Sequence, residues 1–305
     1  MVLAARGTSD NAAQFGRYLL EITTGIPVSL AAPSVHTLYR ARLDLREALV
    51  AGISQSGEST DINLVVERAR ALGALTIGIT NEARSSLARL ADHVLLVRAG
   101  REKSMAATKT YTGQVLALYL LAHALGARVR IDDLKGLPEW AEAGLALQPQ
   151  IGALAERCRF IERAVVVGRG LNYATAFEFA LKLMETCYVV AERFSSADFL
   201  HGPIAMVERA IPVFLFAPSG VTWKPMRQML ERLRVTQAEM HVITDRSNRA
   251  ATRLPRAVCL PSRIDELYTP IPYIIPAQIF AACLAAQKGL DPDRPRMLTK
   301  VTRTL

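Results

Sequence analysis

Seven residues, Ser54-Gln55-Ser56-Gly57-Glu58-Ser59-Thr60, place hydroxyls, a carboxamide and a glycine between an apolar run and a helical pattern. Hydroxyl donors, free backbone N–H groups and the positive end of a helix are what a phosphate needs. The same residue types also make an ordinary strand-to-helix turn with Ser and Thr as caps. A second group, Glu178, Lys182 and Glu185, is spaced i, i+4, i+7 and shares one helix face. On a solvated surface it would be a weak charged stripe. Its neighbours Ala176, Phe177, Phe179, Ala180, Leu181, Leu183 and Met184 are apolar nearly all round. The helix is therefore predicted to be mostly buried, with its charges facing a cleft or an interface. A carboxylate crowded into such a place can act as a base near neutral pH, and a lysine there can pair with it or polarise a carbonyl. His201 sits in a loop bounded by Gly202 and Pro203, a suitable post for an acid or base, although a lone histidine is more often structural. His36, His93, His123 and His241 read as structural. No His, Cys or carboxylate groups stand at metal-ligand spacing, so no metal or other cofactor is expected. Lys300 lies in the tail after Pro295, where it either folds back over a site or belongs to a frayed end.

These groups need a scaffold, and the chain is long enough for two compact domains: 305 residues, 50% hydrophobic and 21% charged. The net charge of +9 comes from 37 Lys+Arg against 28 Asp+Glu, mostly as scattered Arg. With no zinc spacing and no basic region with heptads, no nucleic-acid partner is expected; the balance suits small anionic substrates, although an Arg-rich composition more often carries no functional meaning. Cys158, Cys187, Cys259 and Cys283 lie in apolar contexts without a CxxC and read as reduced core residues of a cytoplasmic protein. Met1–Ala5 runs at once into Arg6-Gly7, which is not a signal-peptide pattern. The apolar stretches near 115–125 and 271–286 are too short or too interrupted by Pro and Gln to read as membrane spans, so no membrane is expected.

Apolar runs at Val2–Ala5, Ile26–Leu30, Leu49–Ile53, Leu75–Thr80 and Val94–Val97 read as strands. Between them lie helical patterns (Ala12, Phe15, Leu19, Ile22; then Ile62, Val65, Val66, Ala69, Leu72), a turn with a short helix over 81–90, and finally a long apolar helix over 108–125. Continuous apolar strands alternating with helices indicate an α/β fold with a parallel sheet flanked by helices on both faces. The pattern then restarts. Val165–Gly170 repeats the run ending at Arg6-Gly7, at an offset of 163 residues that also maps Ser56-Gly57 onto Ser219-Gly220. An offset of 164 maps Glu67-Arg68 onto Glu231-Arg232, Thr80 onto Thr244 and Gln114 onto Gln278. The chain reads as a tandem duplication: a first domain over 1–130, a connector over 131–152, a second domain over 153–290 and a tail over 291–305. Copy two carries Ala217-Pro218-Ser219-Gly220-Val221 where copy one carries Ser54–Glu58. The fold does without the first version, which favours the anion-seat reading over the cap. Thr8 and Ser9 end the first strand and are predicted beside that seat, at the carboxyl edge of the sheet.

Several landmarks together carry a resemblance: Arg6-Gly7-Thr8-Ser9, Ser54-Gln55-Ser56-Gly57-Glu58, Ala107-Thr108-Lys109, Ala180–Glu185, His201-Gly202-Pro203 and Pro295…Lys300. From Val2 to Leu305 the chain resembles the tandem sugar-isomerase (SIS) domain proteins. These include the isomerase half of glutamine–fructose-6-phosphate aminotransferase and, closer, the SIS-type glucosamine-6-phosphate deaminases. The resemblance implies two Rossmann-like SIS domains acting on a phosphorylated hexose or hexosamine. It implies that Ser54, Gln55, Ser56 and Ser59 hold the 6-phosphate and that Thr8 and Ser9 line the sugar. It further implies that Glu185 moves the proton between C1 and C2 through a cis-enediol or enolamine. Lys182 would support charge there, and Lys300 would lie at the carbonyl carbon. His201 would open the ring from the neighbouring subunit, which implies a homodimer. Glu192 aligns with a supporting glutamate. Leu200 replaces a lysine of the aminotransferases, Ala107 replaces a serine that contacts the sugar, and no glutaminase segment with an N-terminal Cys is seen; all three favour the deaminase branch. Family members also have a helical segment ahead of the first strand, where this chain starts on it. Three functions are therefore weighed: an isomerising deaminase giving fructose 6-phosphate and ammonia; the synthetic direction or another aldose–ketose isomerase; and a sugar-phosphate-sensing regulator, against which the retention of Glu185 and His201 counts.

Overall fold

The computed structural model describes residues 1–208 and 211–299. Met1–Ile131 form one compact unit and Asp132–Pro295 a second. The first holds strands β1 (Val2–Ala4), β2 (Ser29–Leu30), β3 (Leu49–Ile53), β4 (Leu75–Thr80) and β5 (His93–Leu96), all parallel, in the order β2-β1-β3-β4-β5. Helices α1 (Gly7–Thr24), α2 (Pro33–Thr37), α3 (Thr60–Ala71), α4 (Ser86–Leu90) and α5 (Lys109–Ala124) connect and cover them. Strand β2 is shorter than its apolar run suggests, because Pro27 cannot donate to a ladder. The helix read over 81–90 begins only at Ser86, where Ser85 caps it by accepting from the Ala88 N–H. The long apolar helix α5 packs against α1, with Phe15 and Tyr119 edge to face at 5.0 Å.

The second unit opens with α6 (Ile131–Leu134), α7 (Leu137–Leu145) and α8 (Gln148–Arg157), so the stretch read as a connector is largely helical, and α7 and α8 pack on the last helix. Then follow β6 (Arg163–Gly168), α9 (Leu171–Cys187), β7 (Val190–Ser195), α10 (Ser196–Leu200), β8 (Pro212–Phe216), α11 (Trp223–Val235), β9 (Glu239–Asp245), β10 (Ala257–Leu260) and α12 (Pro270–Gln287). The sheet order is β10-β9-β8-β6-β7, again all parallel, which repeats the first sheet strand for strand. Individual bonds repeat too. The Ser54 N–H donates to the Ile79 carbonyl at 3.0 Å, and the Ala217 N–H to the Ile243 carbonyl at 2.9 Å. Both first strands lead into their helices through a glycine at positive φ, Gly7 at 53° and Gly170 at 58°, a turn that a β-carbon would strain.

The core of this unit lies on both faces of its sheet. Val165, Val167, Val213 and Leu215 pack with Phe199, Met226, Met229 and Leu233 on one side. On the other, Phe179 of α9 meets Phe214, Phe216 and Phe280 at 5.2, 6.2 and 5.9 Å. Among the described residues α12 alone is long and apolar enough to cross a membrane, yet it is mostly buried against α7, α8 and α9. Two of the four cysteines, Cys259 and Cys283, are half-buried rather than core; all four are free thiols.

Candidate functional site

In the first unit, β1 and β3 are neighbours whose onward chains leave in opposite directions, toward β2 and β4. Open parallel sheets bind ligands beyond the carboxyl ends of such a pair, and the two predicted stretches meet there. Arg6, at the end of β1, donates from Nε to the buried Asp61 carboxylate at 2.7 Å. That bond ties the first turn of α1, which carries Thr8 and Ser9 where the sequence places them at the end of the strand, to the first turn of α3. Thr8 is half-buried, while Ser9 is buried with its Oγ accepting from Gln114 Nε2 at 2.9 Å.

The loop after β3 separates its three serines. Ser54 Oγ accepts the Gly57 N–H at 3.1 Å, and Ser56 Oγ accepts the Glu58 N–H at 3.2 Å. Both oxygens are fixed by backbone donors, which leaves each O–H free to donate to an anion. Ser59, in contrast, donates its hydroxyl to Asp61 Oδ1 at 2.9 Å and makes no cap bond as residue N-cap of α3. The ordinary-cap alternative therefore does not describe this turn. Gly57 holds φ at 65°, and a β-carbon there would overlap the Ser85 hydroxyl. Gln55 and Ser56 border a cleft of about 600 Å³ together with Glu82, Arg101, Glu102 and Lys103. The two cations were not singled out from sequence; isolated charges in a loop acquire meaning only when the loops after β3, β4 and β5 are seen to converge. Ala107 is half-buried in the loop leading to α5.

The corresponding turn in the second unit is already occupied. Glu266 receives the Thr222 hydroxyl and, at 3.4 Å, the Thr222 N–H at the start of α11. A carboxylate from the same unit thus sits where helix α11 presents its positive end.

The charged trio lies along α9. Lys182 Nζ is 2.5 Å from Glu185 Oε2 and 3.5 Å from Glu178 Oε1. Side-chain exposure is 0% for Glu178, 2% for Lys182 and 23% for Glu185. Glu178 is thus the buried counter-ion, Lys182 the bridge, and Glu185 the carboxylate open to solvent. Burial alone would depress the Lys182 ammonium, but the Glu178 and Glu185 charges outweigh it and raise its pKa above 10.5. Lys182 is therefore a cation throughout the neutral range. Exposed Glu192 lies on the edge strand β7. His201 follows α10, exposed, with no hydrogen bond to its ring among the described residues. Lys300 lies outside the described residues. Among the described residues no group of His, Cys, Asp or Glu is arranged to hold a metal.

The structural reading fits His241. Its ring is buried, stacks on Phe214 at 4.9 Å and has Cys158 Sγ 3.8 Å from Nε2. Burial, helped by Arg256 and Arg157, lowers its pKa to about 4. A depressed pKa means that the neutral ring's contribution is complete above pH 6.5 and is lost as pH falls toward 4. Its full size is about 3 kcal/mol. His241→Phe is expected to flatten the stability loss between those limits, as read from urea unfolding midpoints across pH; a slope equal to that of the parent chain would refute it.

The chain matches the family model described as "SIS domain" over residues 1–124 and 161–287, and it belongs to that family. It is 36% identical over 316 residues to the glutamine–fructose-6-phosphate aminotransferase (isomerizing) of Pyrococcus horikoshii, covering 98% of this chain and 51% of the relative. It therefore spans about half the length of such curated relatives. Among solved structures, the C-terminal domain of glucosamine–fructose-6-phosphate aminotransferase from Francisella tularensis superposes with a TM-score of 0.89 at 27% identity, over 96% of this chain and 86% of that one. A glucosamine-6-phosphate deaminase from Thermotoga maritima gives 0.80 at 23% identity, over 99% and 90% of the two chains, a likeness of fold.

Proposed function

We propose that the chain is a sugar-phosphate isomerase that converts glucosamine 6-phosphate and water to fructose 6-phosphate and ammonia. The observation that carries this reading is the trio on α9, in which a solvent-open carboxylate, Glu185, is held 2.5 Å from a buried, charged lysine. Ser54, Gln55 and Ser56 hold the 6-phosphate, and Thr8 and Ser9 lie along the sugar. His201, presented by the partner of a homodimer, opens the ring. Glu185 takes the C2 proton and returns it at C1 through an enolamine, while the Lys182 charge steadies the developing oxyanion. Water then hydrolyses the resulting C2 imine. Lys300 is assigned to the carbonyl carbon and Glu192 to a supporting role. Proton transfer and imine hydrolysis need a positioned acid, a base and an anchor, which these side chains supply.

Leu200 and Ala107 support the deaminase over the aminotransferase, since they replace the lysine and serine found there. The 36% identity to an aminotransferase supports the alternative, the isomerase half of a glucosamine-6-phosphate synthase. Ammonia release from glucosamine 6-phosphate, set against conversion of fructose 6-phosphate with glutamine, separates the two. Failure of the first reaction would reject the deaminase. Ser56→Ala is expected to raise KM by about tenfold with a smaller fall in kcat, because the phosphate is remote from the bonds that change. An unchanged KM would reject the phosphate seat.

A further inference from the structure

Arg101 and Lys103 border the same cleft as Gln55 and Ser56, on a loop that is tied down on both sides. Asn81 accepts the Ala99 N–H at 2.9 Å and donates to the Gly100 carbonyl at 2.8 Å. Lys109 Nζ donates to the Arg101 carbonyl at 2.6 Å. Two carboxylates also border the cleft: Glu82, which is exposed, and Glu102, whose carboxylate takes the Thr108 and Thr110 N–H groups at 3.1 Å and the Thr110 hydroxyl at 2.9 Å. The loop backbone is fixed, while the Arg101 and Lys103 side chains are exposed and have no hydrogen bond or ion pair among the described residues.

The charge count of the seat gives these two cations a task. Ser54, Gln55 and Ser56 are neutral donors, and the N-terminus of a helix is equivalent to about half a positive charge. A phosphate ester near pH 7 carries about −1.5 to −2. Most of that charge remains unbalanced by the seat alone.

We infer that Arg101 and Lys103 are specificity-determining residues, a cationic rim that completes the phosphate seat and selects a dianionic sugar phosphate. The inference rests on the phosphate reading of the Ser54–Thr60 turn. The rim attracts the dianion on approach and holds part of its charge once bound, so its contribution falls as salt screens it.

Calorimetric titration of the full chain with fructose 6-phosphate, at about 0.02 and 0.2 M salt, tests this. The double variant Arg101→Gln/Lys103→Gln is expected to bind about tenfold more weakly at low salt and to lose most of the salt dependence. Ser56→Ala should weaken binding at both salts. Lys135→Gln/Arg227→Gln, which removes the same charge from the second unit, should bind like the parent chain. Binding weakened by Ser56→Ala but not by the Arg101/Lys103 pair overturns the rim and leaves the seat intact. Equal weakening by the distant pair also overturns it, because net charge alone would then account for the effect. No binding by the parent chain overturns the seat and the rim together.

Discussion

Glu185→Gln is expected to lower kcat by about 10³-fold or more while the Kd for fructose 6-phosphate stays within a few-fold. The size follows from the task, since a general base that moves a proton between adjacent carbons contributes about 10²–10⁴-fold and no second exposed carboxylate stands on this helix face to replace it. The specificity follows from the geometry. Gln has the same shape, Lys182 keeps Glu178 at 3.5 Å as its counter-ion, and the Ser54 and Ser56 hydroxyls are untouched. Folding and phosphate binding should therefore survive where proton transfer does not. Incorporation of solvent deuterium into the sugar at C1 should vanish together with turnover. Turnover surviving near the parent rate would remove Glu185 from the proton path.

The split among the three charges on α9 shows where sequence reading stops. Helical spacing places Glu178, Lys182 and Glu185 on one face, and the apolar neighbours predict that the face is enclosed. Spacing cannot say which carboxylate is sealed and which is open. That depends on packing across the helix, where Phe179 is clasped by Phe214, Phe216 and Phe280, residues that come from elements far along the chain. The parallel sheets were legible because strands buried on both faces are continuous apolar runs. Strand β7 was not, because an edge strand carrying Glu192 and Arg193 lacks that signal. The duplication was legible from landmarks alone, and the matched bonds from the Ser54 N–H to the Ile79 carbonyl and from the Ala217 N–H to the Ile243 carbonyl repeat it in the backbone. The divergence of the two turns was readable as lost hydroxyls. Its complement, the carboxylate of Glu266 on Thr222, was not, since 44 positions separate the two residues. Within the first turn, Ser54, Ser56 and Ser59 look equivalent in sequence; only the direction of each hydrogen bond distinguishes two hydroxyls that accept from the backbone from one that donates to Asp61.

Lys182→Met is expected to destabilise the fold by about 3–5 kcal/mol, because it leaves the fully buried Glu178 without its ammonium. For a unit of this size that is a fall in Tm of about 10 °C. Calorimetric unfolding would show it, and a change below about 1 kcal/mol would mean that Glu178 is stabilised mainly by other groups. The raised Lys182 pKa sets the pH range: its contribution is complete below 10.5 and is lost only as pH rises through the higher folded value, so the effect should be flat across neutral pH. A second variant separates stability from chemistry. Glu178→Leu with Lys182→Met removes both buried charges together, and an apolar pair of similar volume commonly matches a buried ion pair in stability. The double variant should regain most of the lost Tm. It should not regain turnover, because Glu185 would have lost the cation 2.5 Å away that positions its carboxylate and balances the negative charge developing on the C1 oxygen as the C2 proton leaves. Recovery of both stability and turnover would reduce Lys182 to a packing residue; recovery of stability alone assigns it to the reaction.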